Sequence, residues 1–153
     1  MKILFKKLLK KKFMTNLDYG IIGNCRSAAL ISKYGSIEWC CLPIFDSASI
    51  FAKLLDTKIG GSFDIQVTED YKISQAYIES TSILITTFSN GIDTFELNDY
   101  MPRYDKVEGG IYSPPEIIRY LKLISGKPQF KVNYDPKLEY ASEETDTYIK
   151  NDF

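Results

Sequence analysis

The sequence predicts an all-β protein, an antiparallel β-sandwich with one short helix near residues 48–55. Three observations support this prediction. Short segments of alternating or β-branched residues recur from Tyr19 onward, and turns rich in glycine separate them. The 11 tyrosines and 9 phenylalanines suit pleated, half-buried surfaces. Many short strands joined by turns favour two packed antiparallel layers.

The first hairpin is predicted from two short apolar segments. Residues 27–32 read SAALIS and residues 36–42 read SIEWCCL. The turn at residues 33–35 contains a glycine and joins them, which is typical of two paired antiparallel strands. Residues 62–67 read SFDIQV and alternate apolar and polar side chains, so they form a further predicted strand.

One segment breaks the β pattern between these strands. Its apolar residues recur at helical spacing, and serines precede them as candidate N-caps. The apolar positions are Ile50, Phe51, Leu54 and Leu55, and the candidate caps are Ser47 and Ser49. This pattern predicts one or two helical turns near residues 48–55.

The second hairpin is predicted around Asn90-Gly91. Residues 80–88 are rich in β-branched side chains, and residues 92–100 alternate apolar and polar side chains. Asn-Gly between two such segments is the strongest short-range hairpin signal in the chain, because both residues tolerate positive φ.

The last two predicted strands are residues 116–124 and 129–134, which we expect to pair with each other. A long loop at residues 103–115 precedes them. The acidic tail from Glu139 shows no closing strand, and this suggests a fragment of a longer protein.

A nearly balanced charge hides a basic leader. Residues 1–13 hold six lysines and no acidic residue, whereas residues 14–153 carry 13 basic and 20 acidic side chains, a formal net charge of −7. The leader lacks the apolar core of a signal peptide and is too short to span a membrane. We predict a disordered leader at 1–13 and a β-sandwich domain at 14–153. Binding of an amphipathic leader helix to a membrane surface is the less favoured alternative.

The composition excludes several kinds of chemistry. The absence of histidine removes serine–histidine–aspartate catalysis and His-ligated zinc. Cys25, Cys40 and Cys41 form no CxxC pair, so we interpret them as buried, reduced thiols of a cytoplasmic protein without a metal site. An acidic domain is poorly suited to nucleic-acid binding. We also expect no cofactor.

Four separated stretches form a more specific pattern. Residues 18–24 read DYGIIGN, residues 35–47 read GSIEWCCLPIFDS, and residues 99–103 read DYMPR. Pro136 and Tyr140 follow in the same order. These stretches closely resemble the opening of proteins in glycoside hydrolase family 15, the glucoamylase and trehalase group, over roughly residues 18–140.

The resemblance implies an N-terminal β-sandwich domain of an enzyme that cleaves α-glucosidic bonds with inversion. Members of this family are several-fold longer, and their two catalytic glutamates lie in an (α/α)6 barrel after the β domain. We therefore expect no catalytic residue in this chain. It would pack on the missing barrel, help shape its pocket, and expose strand edges where the rest of the enzyme docks. The expected partners are the barrel and an α-glucan or trehalose. The alternative is a stand-alone carbohydrate-binding or interaction module without hydrolase activity.

One loop supplies the candidate site residues. Trp39, Pro43, Phe45 and Asp46 combine aromatic rings with a carboxylate, as sugar sites do. They are the predicted substrate-pocket or barrel-contact residues. For Asp46, a turn or helix cap is favoured over a role in a substrate pocket. For Trp39, packing in the core is favoured over stacking on a ligand.

Three charged residues in the second half could form an ion-pair group. They are Asp99, Arg103 and Arg119. We interpret them as solvated surface charges, since exposed ion pairs contribute little to stability.

Overall fold

The computed structural model describes residues 18–148, which contain twelve strands and one short helix. The elements are β1 (Tyr19–Gly23), β2 (Ala28–Ser32), β3 (Ile37–Cys41), β4 (Ser49–Phe51), β5 (Ser62–Gln66), β6 (Lys72–Tyr77), β7 (Leu84–Ser89), β8 (Thr94–Tyr100), β9 (Tyr104–Asp105), β10 (Ile111–Tyr112), β11 (Ile118–Ser125), β12 (Lys131–Asp135) and α1 (Leu138–Ala141). The basic leader lies outside the described residues.

The strands form two main sheets and a small hairpin. The larger sheet has the order β1-β2-β3-β5-β12, and β4 pairs with the end of β3. The smaller sheet has the order β11-β8-β7-β6, and β9 pairs with β10. All pairings among the described strands are antiparallel. The predicted all-β, antiparallel class is therefore confirmed.

The core lies between the two sheets and follows from the alternation of side chains along each strand. In β7 and β8 every second residue is buried, as in Leu84, Thr86 and Phe88. The buried apolar residues form two clusters. One contains Ile22, Ala29, Ile31, Ile37, Cys40, Phe51, Leu84 and Met101. The other contains Ile65, Phe88, Phe95 and Leu97, with the rings of Phe88 and Phe95 stacked at 4.6 Å.

Both predicted glycine-turn hairpins are present. β2 pairs with β3 across residues 33–35, where Gly35 has a φ of 76°. β7 pairs with β8 across Asn90-Gly91, where Gly91 has a φ of 90°. The Asn90 side chain closes this turn, because its Oδ1 accepts hydrogen bonds from the N–H groups of Ile92 and Asp93 at 3.1 and 2.8 Å.

The predicted pairing of residues 116–124 with residues 129–134 is wrong. Both segments are strands, but β11 pairs with β8 in the smaller sheet and β12 pairs with β5 in the larger one. The turn between them bends the chain away from a hairpin, and the Lys127 N–H donates to the Asp93 carboxylate at 2.9 Å. The chain therefore crosses from one sheet to the other at this point.

The short helix is present, but not near residues 48–55. There the structure has β4, whose Ser49 and Phe51 are buried, while Leu54 is only half-buried and Leu55 is exposed. The burial period is thus two, because pairing with β3 brings Phe51 into the core. Only one turn follows, in which the N–H groups of Leu55 and Asp56 both donate to the Ala52 carbonyl, at 2.8 and 3.1 Å.

The helical segment is α1, after the last strand. Its backbone is left-handed, since φ is 48° at Glu139, 57° at Tyr140 and 66° at Ala141. It is a single turn and contributes no buried residue.

Candidate functional site

Three connections meet at one end of the sandwich, which we call the loop end. They are the β1–β2 loop at residues 24–27, the β3–β4 loop at residues 42–48, and the long connection at residues 101–117. The Phe45 N–H donates to the Arg26 carbonyl at 3.0 Å, and Ser27 Oγ donates to the Cys41 carbonyl. These bonds join the first two connections into one surface.

Asn24 organises the loop end from the inside. It is buried, and its Oδ1 accepts hydrogen bonds from the N–H groups of Arg26 and Ser27, each at 3.1 Å. Its Nδ2 donates to the Pro114 carbonyl at 2.8 Å, which ties in the third connection. A short polar side chain is suited to such a turn because it can replace backbone hydrogen-bond partners.

The predicted loop residues Pro43, Phe45 and Asp46 lie on the surface of the loop end, and all three are exposed. Their turn is closed by Ser47, whose N–H donates to the Ile44 carbonyl at 3.1 Å and whose Oγ accepts from the Ile44 N–H at 3.3 Å. Asp46 therefore lies in a turn, one of its two favoured roles, and no helix begins here for it to cap.

Trp39 lies apart from these residues, on strand β3. It stands opposite Leu30, while the neighbouring pairs on either side, Ala29 with Cys40 and Ile31 with Ile37, belong to the core. Trp39 is therefore half-buried on the outer face of the larger sheet, and its favoured assignment to the core is wrong. The structure brings together three of the four predicted residues.

Asp99 and Arg119 form a buried ion pair between the sheets, so their interpretation as solvated charges is wrong. Their side chains are 0% and 5% exposed. Arg119 Nε and Nη2 donate to the two carboxylate oxygens at 2.8 and 3.1 Å. Burial raises the pKa of the Asp99 carboxyl, and the hydrogen bonds and charge of Arg119 oppose that rise.

The same guanidinium also reaches the opposite sheet. Arg119 Nη1 donates to the Phe63 carbonyl at 2.7 Å, and Nη2 donates to the Gly35 carbonyl. The guanidinium lies 4.6 Å from the centre of the Phe63 ring. Arg119 thus joins β8, β5 and the β2–β3 turn. The planar array of five donors explains why arginine serves here.

Arg103 does not join this pair. Its Nη1 donates to Cys25 Sγ at 3.3 Å, at the loop end. With the exposed Arg26, Phe45 and Asp46, the loop end offers two guanidinium groups, an aromatic ring and a carboxylate to solvent. Such a set can bind a partner through packing and hydrogen bonds.

A second buried carboxylate, Asp64, lies on the other face of β5 from the core. Ser36 Oγ donates to Oδ1, and Ser62 Oγ and Asn133 Nδ2 donate to Oδ2 at 3.0 and 3.2 Å. Lys53 Nζ lies 3.3 Å from Oδ1. Burial pushes the pKa of Asp64 upward, but the hydrogen bonds and the Lys53 charge outweigh it, and the pKa is lowered.

The interpretation of the cysteines as buried thiols holds for two of the three. Cys40 and Cys41 are buried and Cys25 is exposed, and none is in a disulfide. Burial, together with the neighbouring Cys41, raises the pKa of Cys40 to about 12, and burial raises the pKa of Cys41. These two thiols are therefore protonated at neutral pH.

The structural roles of two residues were missed, although the sequence could have indicated them. Asp99 follows Phe95 and Leu97 at the same parity in an alternating strand, which places it on the buried face. Asn24 follows a glycine at a strand end, a position typical of side-chain-closed turns. The single helix among residues 18–148 is not long and apolar enough to cross a membrane.

Comparison with known proteins identifies the family. The family model described as trehalase-like, N-terminal, matches residues 14–152. A protein named trehalase from Thermoplasma volcanium is 36% identical over 128 residues, covering 82% of this chain and 20% of that protein. Trehalase 2 of Sulfolobus acidocaldarius is 35% identical over 136 residues, covering 89% of this chain and 21% of that protein.

The chain thus spans about a fifth of the length of these relatives. No solved structure matches it significantly. On the strength of the match over residues 14–152, the chain belongs to the trehalase-like N-terminal domain family.

Proposed function

We propose that this chain is the non-catalytic N-terminal domain of a trehalase-type glycosidase that cleaves α-glucosidic bonds. The observation that carries the proposal is the match of residues 14–152 to an N-terminal family, together with relatives named trehalase of which the chain spans about a fifth. The catalytic residues would belong to the remaining four fifths of such an enzyme, in an (α/α)6 barrel on which this domain packs.

The two buried carboxylates support a non-catalytic role. An inverting glycosidase needs one acid to protonate the leaving oxygen and one base to activate water, about 6.5–9.5 Å apart. Asp99 is engaged by Arg119, and Asp64 by hydrogen bonds on both oxygens. Both carboxylates stabilise the packing of strands. Asp64 lines a surface cleft together with Glu38, but Lys53 Nζ lies 3.3 Å from Asp64 and side-chain hydrogen bonds reach both of its oxygens.

We assign the contact with the catalytic domain to the loop of Pro43, Phe45 and Asp46, with Trp39 on the adjoining strand. The exposed ring and carboxylate of this loop support that role, as do the hydrogen bonds that hold the loop in one conformation. A preorganised loop loses little entropy on binding, so it is suited to flank a substrate pocket.

The boundaries and location follow from the same proposal. The family match begins at residue 14, which supports a domain at residues 14–153 and a basic leader outside it. We also propose a cytoplasmic location, where the three cysteines, none of which is in a disulfide, would stay reduced.

A chimeric enzyme tests the proposal. This chain would replace the matching fifth of the Thermoplasma volcanium trehalase, and trehalose hydrolysis would be measured for the chimera, for the isolated chain and for the trehalase with that fifth deleted. We expect activity from the chimera only. Trehalose hydrolysis by the isolated chain, or an inactive chimera, would contradict the proposal.

One observation favours the alternative of a stand-alone carbohydrate-binding module, namely the exposed Phe45 ring beside the Asp46 carboxylate. Titration of the isolated chain with trehalose and maltose, followed by fluorescence of the single tryptophan and by calorimetry, separates the two functions. Saturable binding that Phe45→Ala abolishes would favour the module. We expect no saturable binding, because the pocket requires the rest of the enzyme.

A further inference from the structure

The two sides of the sandwich differ in how well their edge strands are covered. On the side where β1 and β6 are the edge strands, side chains join the sheets. The Tyr77 hydroxyl accepts a hydrogen bond from the Ile21 N–H at 2.7 Å and lies 2.9 Å from the Ile21 carbonyl, to which it donates. Gln75 Nε2 donates to the Ser32 carbonyl at 2.9 Å. On this side the chain's own residues join the two edge strands.

On the opposite side β11 and β12 are the edge strands, one in each sheet, and Arg119 near the start of β11 joins the sheets there. Residues directly opposite each other in an antiparallel pair point to the same face. Leu123 stands opposite Phe95, and Val132 stands opposite Ile65, both of which are buried in the core. Leu123 and Val132 therefore point toward the interior of the sandwich.

These inward-pointing side chains are nevertheless exposed to solvent. Leu123 is 63% exposed, Val132 is 49% exposed, and Tyr134, which also points inward, is 47% exposed. A cleft of about 390 Å³ opens at Tyr134, and its other lining residues are Leu42, Ile50, Phe51, Phe63 and Ile117. We call the cleft and the strands β11 and β12 the open side.

The edges of the open side also have free backbone groups. Among the described strands, β11 pairs only with β8 and β12 only with β5. Each therefore presents a row of N–H and C=O groups to which a further strand can add. Apolar side chains that point inward together with unpaired edges indicate that a further element completes this side.

We propose that the open side is the docking surface for polypeptide that follows this domain in the parent enzyme, and that this polypeptide adds an apolar β-strand to β11 or β12 and covers the cleft. The proposal rests on the proposed function. It names this occupant because the family is N-terminal and the relatives are about five times the length of the matched segment.

The course of the chain also supports this occupant. After β12 the chain continues beside the cleft, where Pro136, Leu138 and Tyr148 line a groove with Ile50 and Tyr134. A strand in the same polypeptide would reach the open side at the high effective concentration of an intramolecular contact.

Hydrogen exchange in the chimera described above tests the docking surface. We expect the amides of β11 and β12 to exchange at least tenfold more slowly in the chimera than in the isolated chain. The amides of β1, at the opposite edge of the larger sheet, should change little and serve as the internal reference.

Substitutions sharpen the test. Leu123→Ser and Val132→Ser should raise β11 and β12 exchange in the chimera at least tenfold, whereas in the isolated chain they should have little effect. Ile78→Ser is the matched control, because Ile78 is exposed and directly follows β6, at the opposite edge of the smaller sheet.

The outcomes separate this inference from the proposed function. An active chimera whose β11 and β12 amides exchange as fast as in the isolated chain would overturn the inference and leave the proposed function intact. An inactive chimera would overturn the proposed function and, with it, the inference. Protection that disappears on dilution would identify a second copy as the occupant and would also overturn the inference.

Discussion

Replacing Arg119 with methionine should be among the most damaging single substitutions in this domain. Methionine keeps much of the length of the side chain but removes the charge and all five donors. It leaves the Asp99 carboxylate, 0% exposed, without its partner. Removing one partner of a buried ion pair costs about 3–5 kcal/mol, because the remaining charge stays desolvated. Since domains of this size have free energies of unfolding of about 5–15 kcal/mol, the loss is a large fraction of the total.

Lys122→Met is a matched control on the same strand. Lys122 pairs with Glu96 across the same two strands as Arg119 and Asp99, but its side chain is 54% exposed. An exposed pair contributes about 0–1 kcal/mol, so this variant should unfold almost like the parent. The comparison of the two variants measures the effect of burial, because the strand, the charge that is removed and the substituted residue are the same in both.

The assay is urea unfolding, followed by the fluorescence of the single tryptophan and by circular dichroism. Loss of Arg119 removes the groups that oppose the raised pKa of Asp99, so that pKa should rise further. An acid whose pKa is higher in the folded than in the unfolded state binds its proton more tightly when folded, and stability then falls as pH rises. The loss in free energy of unfolding that Arg119→Met causes, relative to the parent chain, should therefore become smaller as pH is lowered from 7 toward 5.

Two results would refute this reasoning. One is a loss below about 1 kcal/mol in Arg119→Met, as expected for an exposed pair. The other is a loss in free energy of unfolding in Arg119→Met that is the same at pH 7 and at pH 5. If the single variant does not fold, the double variant Arg119→Met/Asp99→Leu keeps the test open, because removal of both charges should recover most of the stability.

Two further predictions concern titratable groups. In the native chain one thiol, Cys25, should react rapidly with a disulfide reagent, because the other two are buried. In urea all three thiols should react. Two rapidly reacting thiols in the native state would contradict this prediction. Asp64 has a lowered pKa, so its contribution to stability is present above the unfolded pKa of about 3.9 and is lost as pH falls through the folded pKa. Asp64→Asn should therefore flatten the decline in the free energy of unfolding below about pH 4, and an unchanged slope would show that Asp64 is not responsible.

Local pattern was sufficient for most strands and for two hairpins. Alternation in residues 92–100 and the Asn90-Gly91 turn depend only on neighbours in the chain, and the structure follows them. It was insufficient for residues 48–55, because short apolar segments suit either a helix or a strand. There the pairing of Phe51 opposite Cys40 decided the outcome.

The candidate site could likewise be predicted only in part. The motif residues Pro43, Phe45 and Asp46 could be predicted as a shared loop because they are adjacent in sequence. That Asn24 holds this loop end to Pro114, 90 residues away, could not be predicted, since a hydrogen bond over that separation depends on how both sheets pack.

By itself, the sequence determined the all-β class, the antiparallel hairpins and the family, because alternation, turn residues and motif order are local properties of the chain. Only the tertiary structure decided which strands are partners and which charges are buried. β11 and β12 follow each other along the chain, yet each pairs with a strand far away, in a different sheet. The physical reason is that burial and pairing are decided by the surface an entire sheet must cover, and that surface exists only once distant segments have met.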